Sequence, residues 1–170
     1  TVLSWMAGQT QETMLGTGVL ILPYRPRLPL AKAIASLQEL SSGRFILGVG
    51  VGWMDPEFRA LGVPRNKRGK IFEDTLSFIN DCFEKDVMSS NGQDFIFEPK
   101  PKKPSILMGG MSAAAFERAV KVGAGWFPIG QLSEIKDRIR LFRDLTEKRF
   151  GKSSDVVTYC SFAGQSESDF

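Results

Sequence analysis

Histidine is absent from this sequence of 170 residues, and cysteine occurs only twice. Without histidine, the chain lacks the usual general base of a hydrolytic triad and the commonest side-chain ligand of metals. Cys82 and Cys160 are far apart and show no Cys-x-x-Cys spacing, so we expect reduced, structural thiols in a cytoplasmic protein. Triad hydrolysis and a metal site are therefore not expected, and a redox cofactor would have to supply demanding chemistry.

Long apolar runs and a dominance of one charge are also missing. No stretch approaches the roughly 20 apolar residues that cross a membrane, and no signal-peptide pattern is present. Hydrophobic residues make up 42% and charged residues 24% of the chain, and the net charge of +3 comes from scattered basic residues. These values are typical of a soluble globular protein, so neither nucleic acid nor a membrane is predicted as a partner.

The order of apolar segments predicts alternating strands and helices. Met14 to Leu22 is a nearly unbroken apolar run, as in a strand buried on both faces. Apolar residues from Leu30 to Leu40 follow the spacing of one helical face, and Phe45 to Val51 is again continuous and apolar. The same patterns predict helices from Arg68 to Phe83, Ala113 to Val122 and Ser133 to Phe150, and strands from Ile106 to Met108, Trp126 to Ile129 and Val156 to Phe162.

This alternation indicates an α/β fold, either a doubly wound open sheet or a section of an eight-stranded barrel. Between residues 86 and 104, alternating polar and aromatic residues and a Pro- and Lys-rich stretch predict an inserted hairpin or surface excursion. We expect no domain boundary within residues 1–170. The chain starts at Thr1 without Met and stops at Phe170 just after an apparent strand, so we expect both ends to be cut.

A glycine-rich motif, GVGVGW from Gly48 to Trp53, overlaps the end of the strand that begins at Phe45. It invites comparison with the dinucleotide-binding fingerprint, but Asp55 occupies the position of the third glycine, and Pro56 should disturb the helix start. Glycine at alternate strand positions instead leaves one face free of side chains, which allows a flat ring or a neighbouring backbone to approach. Simple tight packing of the strand is the alternative.

Three further glycine motifs lie within or between predicted elements. Gly109 to Ser112 ends in a good helix N-cap, so backbone N–H groups and the positive end of a helix could hold a phosphate there. The same pattern is common in plain turns. Gly16 to Val19 interrupts the first predicted strand and indicates a bulge or a strained backbone. Gly123 to Trp126 leads into a strand whose tryptophan could cover a pocket, although we expect it to pack in the core.

Several segments, taken in order, carry a resemblance to a known family: Leu15 to Val19 with Pro23 and Arg25, Leu30 to Lys32, Leu40 to Arg44, Leu47 to Trp53 with Glu57, Arg68-Gly69, Gly109-Gly110 and Gly125-Trp126. They resemble the bacterial luciferase-like monooxygenases over roughly residues 10–130. The resemblance is greatest to the branch often assigned to the deazaflavin coenzyme F420, although relatives use FMN.

The resemblance implies a TIM (β/α)8 barrel with the flavin at the carboxyl ends of the strands, and it favours the barrel over the open sheet. Met14 to Leu22 would be the third strand and Phe45 to Val51 the fourth. The chain would then form an incomplete barrel of about strands 3 to 7 with its crossover helices, the first two strands preceding Thr1. In deazaflavin-dependent relatives the third strand ends in a bulge with a non-proline cis peptide that supports the ring system, which corresponds to Gly18-Val19 here.

The resemblance also implies which residues meet the ligands. The cofactor-binding residues would be Gly18, Val19, Gly50, Gly52, Trp53, Gly109, Gly110 and Ser112. Trp53 would also form a wall of the substrate pocket, and Glu57 would make a polar contact there. The catalytic His and Asp that some relatives carry after the second strand have no counterpart, so no catalytic residue is identified. Ala124 stands where many relatives carry Asp.

The implied function is that of an oxidoreductase with a small-molecule substrate. It would transfer hydride to or from bound F420, or activate oxygen on reduced FMN. We expect the full-length parent to be a homo-oligomer and the present segment alone to be inactive. A non-catalytic flavin-binding or purely structural relative is the alternative, and a nucleotide-binding open sheet is a third interpretation.

Overall fold

The structure, a computed structural model, describes residues 2–122 and 124–160. The chain divides into two compact units, Thr1–Ser105 and Ile106–Phe170. Both units combine helices with parallel strands, which confirms the predicted α/β class. None of the helices in these described ranges is long and apolar enough to span a membrane. Within the same ranges, no three His, Cys, Asp or Glu residues are grouped so that they could hold a metal ion.

The first unit is built around strands that pair in parallel. Its described elements are α1 (Val2–Gln9), β1 (Leu15–Gly16), β2 (Leu20–Ile21), a 3-10 helix (Leu22–Tyr24), α2 (Arg27–Leu40), β3 (Phe45–Gly50), α3 (Asp55–Ala60), a second 3-10 helix (Arg65–Lys67), α4 (Arg68–Glu84), β4 (Met88–Ser90) and β5 (Gln93–Phe95). β1 and β2 both pair with β3, with Leu15 opposite Phe45 and Leu20 opposite Val49. The prediction of one continuous strand from Met14 to Leu22 is therefore wrong.

Residues 17–19 interrupt this strand pairing. The Thr17 hydroxyl donates a hydrogen bond to the carbonyl oxygen of Gly48 at 2.7 Å. The carbonyl oxygen of Thr17 lies only 1.8 Å from where a Cβ on Gly48 would stand. The Gly18-Val19 peptide bond is cis, at the position that the family resemblance implied. The bulge expected here is thus an interruption of pairing that needs a glycine on the neighbouring strand.

The two long helices of the first unit follow their predicted apolar faces. α4 buries Phe72, Leu76, Ile79 and Phe83. α2 begins at Arg27, before the predicted start at Leu30, because a proline such as Pro29 is tolerated in the first helical turn. It ends where predicted, since Ser42 and Gly43 adopt φ values of 51° and 84° that end a helix.

α3 corrects one expectation of the sequence analysis, that Pro56 would disturb a helix start. Asp55–Ala60 is helical, with Pro56 in its first turn. The first N–H groups of a helix have no intrahelical partner, so a proline there forfeits no hydrogen bond.

α1 was not predicted, and Arg44 holds its carboxyl end. The Arg44 guanidinium donates to the carbonyl oxygens of Ala7, Thr10 and Thr13 at 3.0, 2.9 and 2.6 Å. Carbonyl groups at the end of a helix have no intrahelical partner, and a cation is favoured there. Arg44 directly precedes β3, so it ties α1 to the sheet.

β4 and β5 form an antiparallel hairpin, with Met88 opposite Phe95, inside the stretch where a hairpin was predicted. The chain that follows runs beside α2. Gln38 donates from Nε2 to the carbonyl oxygen of Lys102 at 2.9 Å, and Lys32 donates to the carbonyl oxygen of Glu98. These bonds satisfy backbone acceptors of a segment that belongs to no strand.

Cys82 is a free thiol buried in α4. Burial, with a contribution from the Asp81 carboxylate, raises the pKa of this thiol to about 11. Since the thiolate is the reactive form of cysteine, Cys82 has the structural role predicted from the sequence.

The second unit repeats the alternation of strands and helices. β6 (Ser105–Gly109) leads into it, followed by α5 (Ala113–Val122), β7 (Gly125–Phe127), β8 (Ile129–Gly130), α6 (Leu132–Phe150) and β9 (Tyr159–Cys160). β6 pairs in parallel with β7, and β8 pairs in parallel with β9. The bounds of α5 agree with the prediction, and α6 begins one residue earlier than predicted.

Two strand predictions in this unit need correction. The strand from Trp126 to Ile129 is divided into β7 and β8, because Pro128 between them has no N–H to continue the ladder. Of the strand predicted from Val156 to Phe162, Val156 forms an isolated parallel bridge with Trp126, and β9 spans Tyr159–Cys160. Residues 161–162 lie outside the described residues.

Candidate functional site

Gly50 and Gly52, at the carboxyl end of β3, face the segment from Val19 to Ile21, and Gly18 directly precedes this segment between β1 and β2. A Cβ on Gly50 would lie 2.7 Å from Cγ2 of Val19, and one on Gly52 would lie 2.9 Å from Cγ2 of Ile21. Gly52 also has a positive φ of 78°. Because Gly50 and Gly52 have no side chains, the segment that follows Gly18 can lie close to the end of β3. Ligands of parallel α/β folds bind at this end of the strands.

Two predicted pocket residues follow β3. Trp53 is 74% exposed. Glu57, in α3, is exposed and accepts a hydrogen bond from the hydroxyl of Tyr24 at 2.8 Å. The Tyr24 ring packs edge-on against Phe58, with ring centroids 4.8 Å apart, and Phe58 is only 1% exposed. The sequence analysis missed Tyr24, whose one signal is its position just beyond the carboxyl end of a buried strand.

The environment of Tyr24 keeps its hydroxyl a donor. Burial raises the pKa of the phenol above its ordinary value, and the hydrogen bond to Glu57 and the charge of that carboxylate add to the increase. The phenol is therefore protonated throughout the neutral pH range, where it donates to the carboxylate.

The loop between β6 and α5 contains the other predicted cofactor-binding residues. Gly110 has a φ of 122°, and a Cβ there would lie 3.0 Å from the Cβ of Ala115. The Gly110 N–H donates to the carbonyl oxygen of Phe127 at 3.3 Å, so this donor is occupied, contrary to our expectation of exposed glycine N–H groups. The Ser112 hydroxyl accepts from the N–H of Ala115 at 3.2 Å, which confirms Ser112 as the N-cap of α5. Gly109 pairs with Phe127 in the sheet.

Trp126, in β7, anchors this loop. Its side chain is 0% exposed, and its indole N–H donates to the carbonyl oxygen of Gly110 at 2.9 Å. The ring packs against Phe116 and Phe142, with centroids 5.3 and 5.6 Å away. The predicted core position of Trp126 is confirmed, and the hydrogen bond to the loop adds a second role.

Replacing Trp126 by phenylalanine should lower the free energy of unfolding by about 1–3 kcal/mol, because the Gly110 carbonyl loses a buried donor. Urea unfolding followed by circular dichroism measures the change. Trp5→Phe is the matched control, since Trp5 is 67% exposed and its replacement should change stability by less than about 0.5 kcal/mol. An equal loss in the two variants would contradict the anchoring role of Trp126.

Arg138, in α6, also contacts this loop and was missed by the sequence analysis. Its guanidinium donates to the carbonyl oxygen of Met111 at 2.7 Å. It also lies over the rings of Phe116 and Trp126, 5.5 and 5.3 Å from their centroids. The side chain thus places a positive charge beside the start of α5. α6 contains several arginines, and no sequence pattern distinguishes this one.

The sequence of this chain matches one protein family over most of its length. The sequence model of the family described as luciferase-like monooxygenase matches residues 1–164. The FMNH2-dependent dimethylsulfone monooxygenase of Pseudomonas putida is 28% identical over 145 residues, which cover 79% of this chain and 40% of that protein. The chain thus spans 40% of the length of this relative and about half of the length of other curated relatives.

Solved structures share the fold. A monooxygenase from Streptomyces bottropensis matches with a TM-score of 0.79 at 21% identity, over 92% of this chain and 52% of its own. An F420-dependent secondary alcohol dehydrogenase in complex with an F420-acetone adduct matches with a TM-score of 0.75 at 17% identity, over 93% of this chain and 53% of its own. At these identities the likeness concerns the fold alone, and it confirms the prediction of an incomplete TIM barrel.

Proposed function

Because the chain belongs to the luciferase-like monooxygenase family, we propose that the protein is a flavin- or F420-dependent oxidoreductase with a small-molecule substrate. The names of relatives support both cofactors, since one is an FMNH2-dependent monooxygenase and another an F420-dependent alcohol dehydrogenase. The proposed reaction is hydride transfer with F420 or oxygen activation on reduced FMN. The function is proposed for the whole protein, because the chain spans about half of its relatives.

The observation that carries the proposal is an exposed aromatic side chain at the carboxyl end of β3. Trp53 is 74% exposed directly after the glycine-rich end of the strand. Aromatic side chains commonly line ligand pockets, and the barrel fold binds its ligands at the carboxyl ends of the strands. We propose that Trp53 contacts the cofactor ring and a wall of the substrate pocket, and that Gly18, Val19, Gly50 and Gly52 form the backbone against which the ring lies.

The residues at the start of α5 fit a phosphate. The N–H of Ala115 already donates to Ser112, so the donors that remain for a ligand at the start of this helix are those of Ala113 and Ala114. The amino end of the helix has a partial positive charge, and the guanidinium of Arg138 lies beside the loop. A Cβ on Gly110 would fill the space against Ala115. We propose that Gly109, Gly110 and Ser112 shape this loop and that the helix N–H groups bind the cofactor phosphate.

The bound cofactor would supply the redox chemistry, and the residues of this chain would bind and orient it. The test is a fluorescence titration of the full-length protein with FMN and with F420, followed by a test of the redox step. That step is hydride transfer from an alcohol to bound F420, or a changed rate at which oxygen oxidises chemically reduced, bound FMN. We expect one of the two cofactors to bind with micromolar or tighter affinity and to undergo its step. Binding without either redox step would favour the non-catalytic alternative, and no binding would contradict the proposal.

Trp53→Ala should weaken cofactor binding at least about tenfold, equivalent to roughly 1.4 kcal/mol. The free energy of unfolding should change by less than about 0.5 kcal/mol, because the side chain is mostly in solvent. Trp5→Ala, at a site 67% exposed on α1, is the control and should change neither quantity. Cofactor titration and urea unfolding measure the two effects. Unchanged affinity in Trp53→Ala would remove Trp53 from the cofactor site.

A further inference from the structure

Tyr24 and Glu57 connect two elements that follow neighbouring parallel strands. Tyr24 is the last residue of the 3-10 helix after β2, and Glu57 lies in α3 after β3. The Tyr24 hydroxyl donates to Oε2 of Glu57 at 2.8 Å. This hydrogen bond therefore lies at the end of the sheet where parallel α/β folds bind their ligands.

The hydrogen bond uses one of the two carboxylate oxygens of Glu57. Among residues 2–122 and 124–160, the Glu57 carboxylate has no second hydrogen bond and no ion pair. Its side chain is exposed. Each oxygen of an ionised carboxylate can accept hydrogen bonds. Oε1 of Glu57 therefore remains available to accept a hydrogen bond from a ligand.

Exposed apolar side chains border the start of α3, the helix that contains Glu57. Trp53 is 74% exposed and Met54 is 37% exposed. Met54 is the N-cap residue of α3, and Trp53 directly precedes it. An acceptor bordered by exposed apolar side chains fits a small molecule with an apolar body and one hydrogen-bond donor.

Tyr24 can hold the Glu57 carboxylate in one orientation because its own ring is fixed. The ring packs edge-on against Phe58, with ring centroids 4.8 Å apart. Phe58 is buried in the core, and so is Leu22, which begins the 3-10 helix that ends at Tyr24. An exposed glutamate without such a partner samples several rotamers. The pKa of Tyr24 is raised by burial and by Glu57, so its hydroxyl remains a donor at neutral pH.

We propose that Tyr24 is a positioning residue that orients Glu57 to accept a hydrogen bond from the hydroxyl of an apolar alcohol substrate. The inference rests on the proposed function and names the substrate class of the same site. Glu57 contacts the substrate, and Tyr24 acts through Glu57. The step forms hydrogen bonds only, and no covalent bond changes.

The experiment compares two probes that differ in one hydrogen-bond donor. 1-Methylcyclohexanol has a hydroxyl, and its methyl ether keeps the oxygen but has no O–H. The carbinol carbon of this tertiary alcohol has no hydrogen, so hydride transfer cannot consume the probe. Binding is measured in the full-length protein, loaded with whichever of FMN or F420 binds, through changes in the visible absorption of the cofactor.

We expect the wild-type protein to bind the alcohol at least about fivefold tighter than the ether. Glu57→Ala should abolish this preference, and Tyr24→Phe should reduce it about threefold or more. In the Glu57→Ala background, Tyr24→Phe should have no further effect on the preference, because coupled residues are not additive. Glu57→Gln retains an acceptor of the same size and should keep part of the preference. Glu39→Ala removes an exposed carboxylate on α2 and should leave it unchanged.

Equal affinity of the wild-type protein for the two probes would overturn the inference. So would a Tyr24→Phe effect of the same size in the Glu57→Ala background, since that result indicates a general structural role. A wild-type protein that binds neither FMN nor F420 would overturn the proposed function and this inference with it. Cofactor binding without any preference for the alcohol would overturn this inference alone.

Discussion

Replacing Gly48 by alanine is expected to lower the free energy of unfolding by about 3 kcal/mol or more, the upper end of the cost of overpacking. The new Cβ would lie 1.8 Å from the carbonyl oxygen of Thr17, which belongs to the backbone and cannot move aside as a flexible side chain can. The hydrogen bond from the Thr17 hydroxyl to the Gly48 carbonyl, 2.7 Å long, should break as β3 and the interrupted strand separate. Urea unfolding measures the change.

Gly16→Ala provides a matched control on the same pair of strands. A Cβ at Gly16 would find its nearest atom, the carbonyl oxygen of Ile46, at 3.5 Å, an ordinary van der Waals distance. We therefore expect stability to change by less than about 1 kcal/mol, with either sign, because alanine suits a strand better than glycine does. Similar unfolding midpoints for Gly48→Ala and Gly16→Ala would show that the close approach of Thr17 to Gly48 does not exist in solution.

Gly110→Val is expected to weaken cofactor binding at least about tenfold, or roughly 1.4 kcal/mol. A φ of 122° is unfavourable for a β-branched residue. The new side chain would also press on Ala115, whose Cβ is 3.0 Å from the Cβ position. The loop and the first turn of α5 must then shift, and the helix N–H groups proposed to bind the phosphate shift with them. Fluorescence titration with FMN and F420 gives the affinity.

The backbone strain at Gly110 means that this substitution also affects the fold, so stability has to be measured alongside affinity. Gly151→Val is the control in the same unit, because Gly151 has a φ of 71° at the end of α6 and no neighbouring atom within 4 Å of its Cβ position. Both variants should lose stability, by about 1–3 kcal/mol. Only Gly110→Val should lose cofactor affinity, and equal affinities in the two would refute the role of the loop.

The elements that the sequence predicted well are those whose signal is local. The apolar face of α4 repeats at helical spacing from Phe72 to Phe83, and α5 lies between a serine cap and the strand that follows it. In each case the residues that define the element are within a few positions of one another. Periodicity and capping are properties of the chain itself, so tertiary contacts are not needed to find them.

The strand from Met14 to Leu22 shows where local patterns fail. Its hydrophobicity correctly indicates a buried, parallel environment, but hydrophobicity does not report hydrogen-bond register. The interruption at residues 17–19 depends on Gly48, about thirty positions along the chain, through the hydroxyl of Thr17. The same limit applies to Pro56, where the outcome depended on its position within the first turn of α3 and not on the presence of proline.

The candidate site was predicted in part for the same reason. The sequence, through its family resemblance, indicated Trp53, Glu57 and the Gly109 to Ser112 loop, each of which belongs to a short recognisable motif. It did not indicate Tyr24 or Arg138. Tyr24 meets Glu57 across a separation of 33 residues, and Arg138 meets Met111 across 27. No motif contains either pair.

The sequence by itself therefore determined the α/β class and the long helices, because composition and periodicity are properties of the chain itself. Its resemblance to the family indicated the places where a flavin or deazaflavin is proposed to bind. Only the tertiary structure decided that Gly48 receives the Thr17 carbonyl, that the N–H of Gly110 is already occupied, and that Tyr24 orients toward Glu57. These facts depend on hydrogen bonds and close contacts between distant segments. Such contacts are determined by the three-dimensional path of the backbone, which no local pattern encodes.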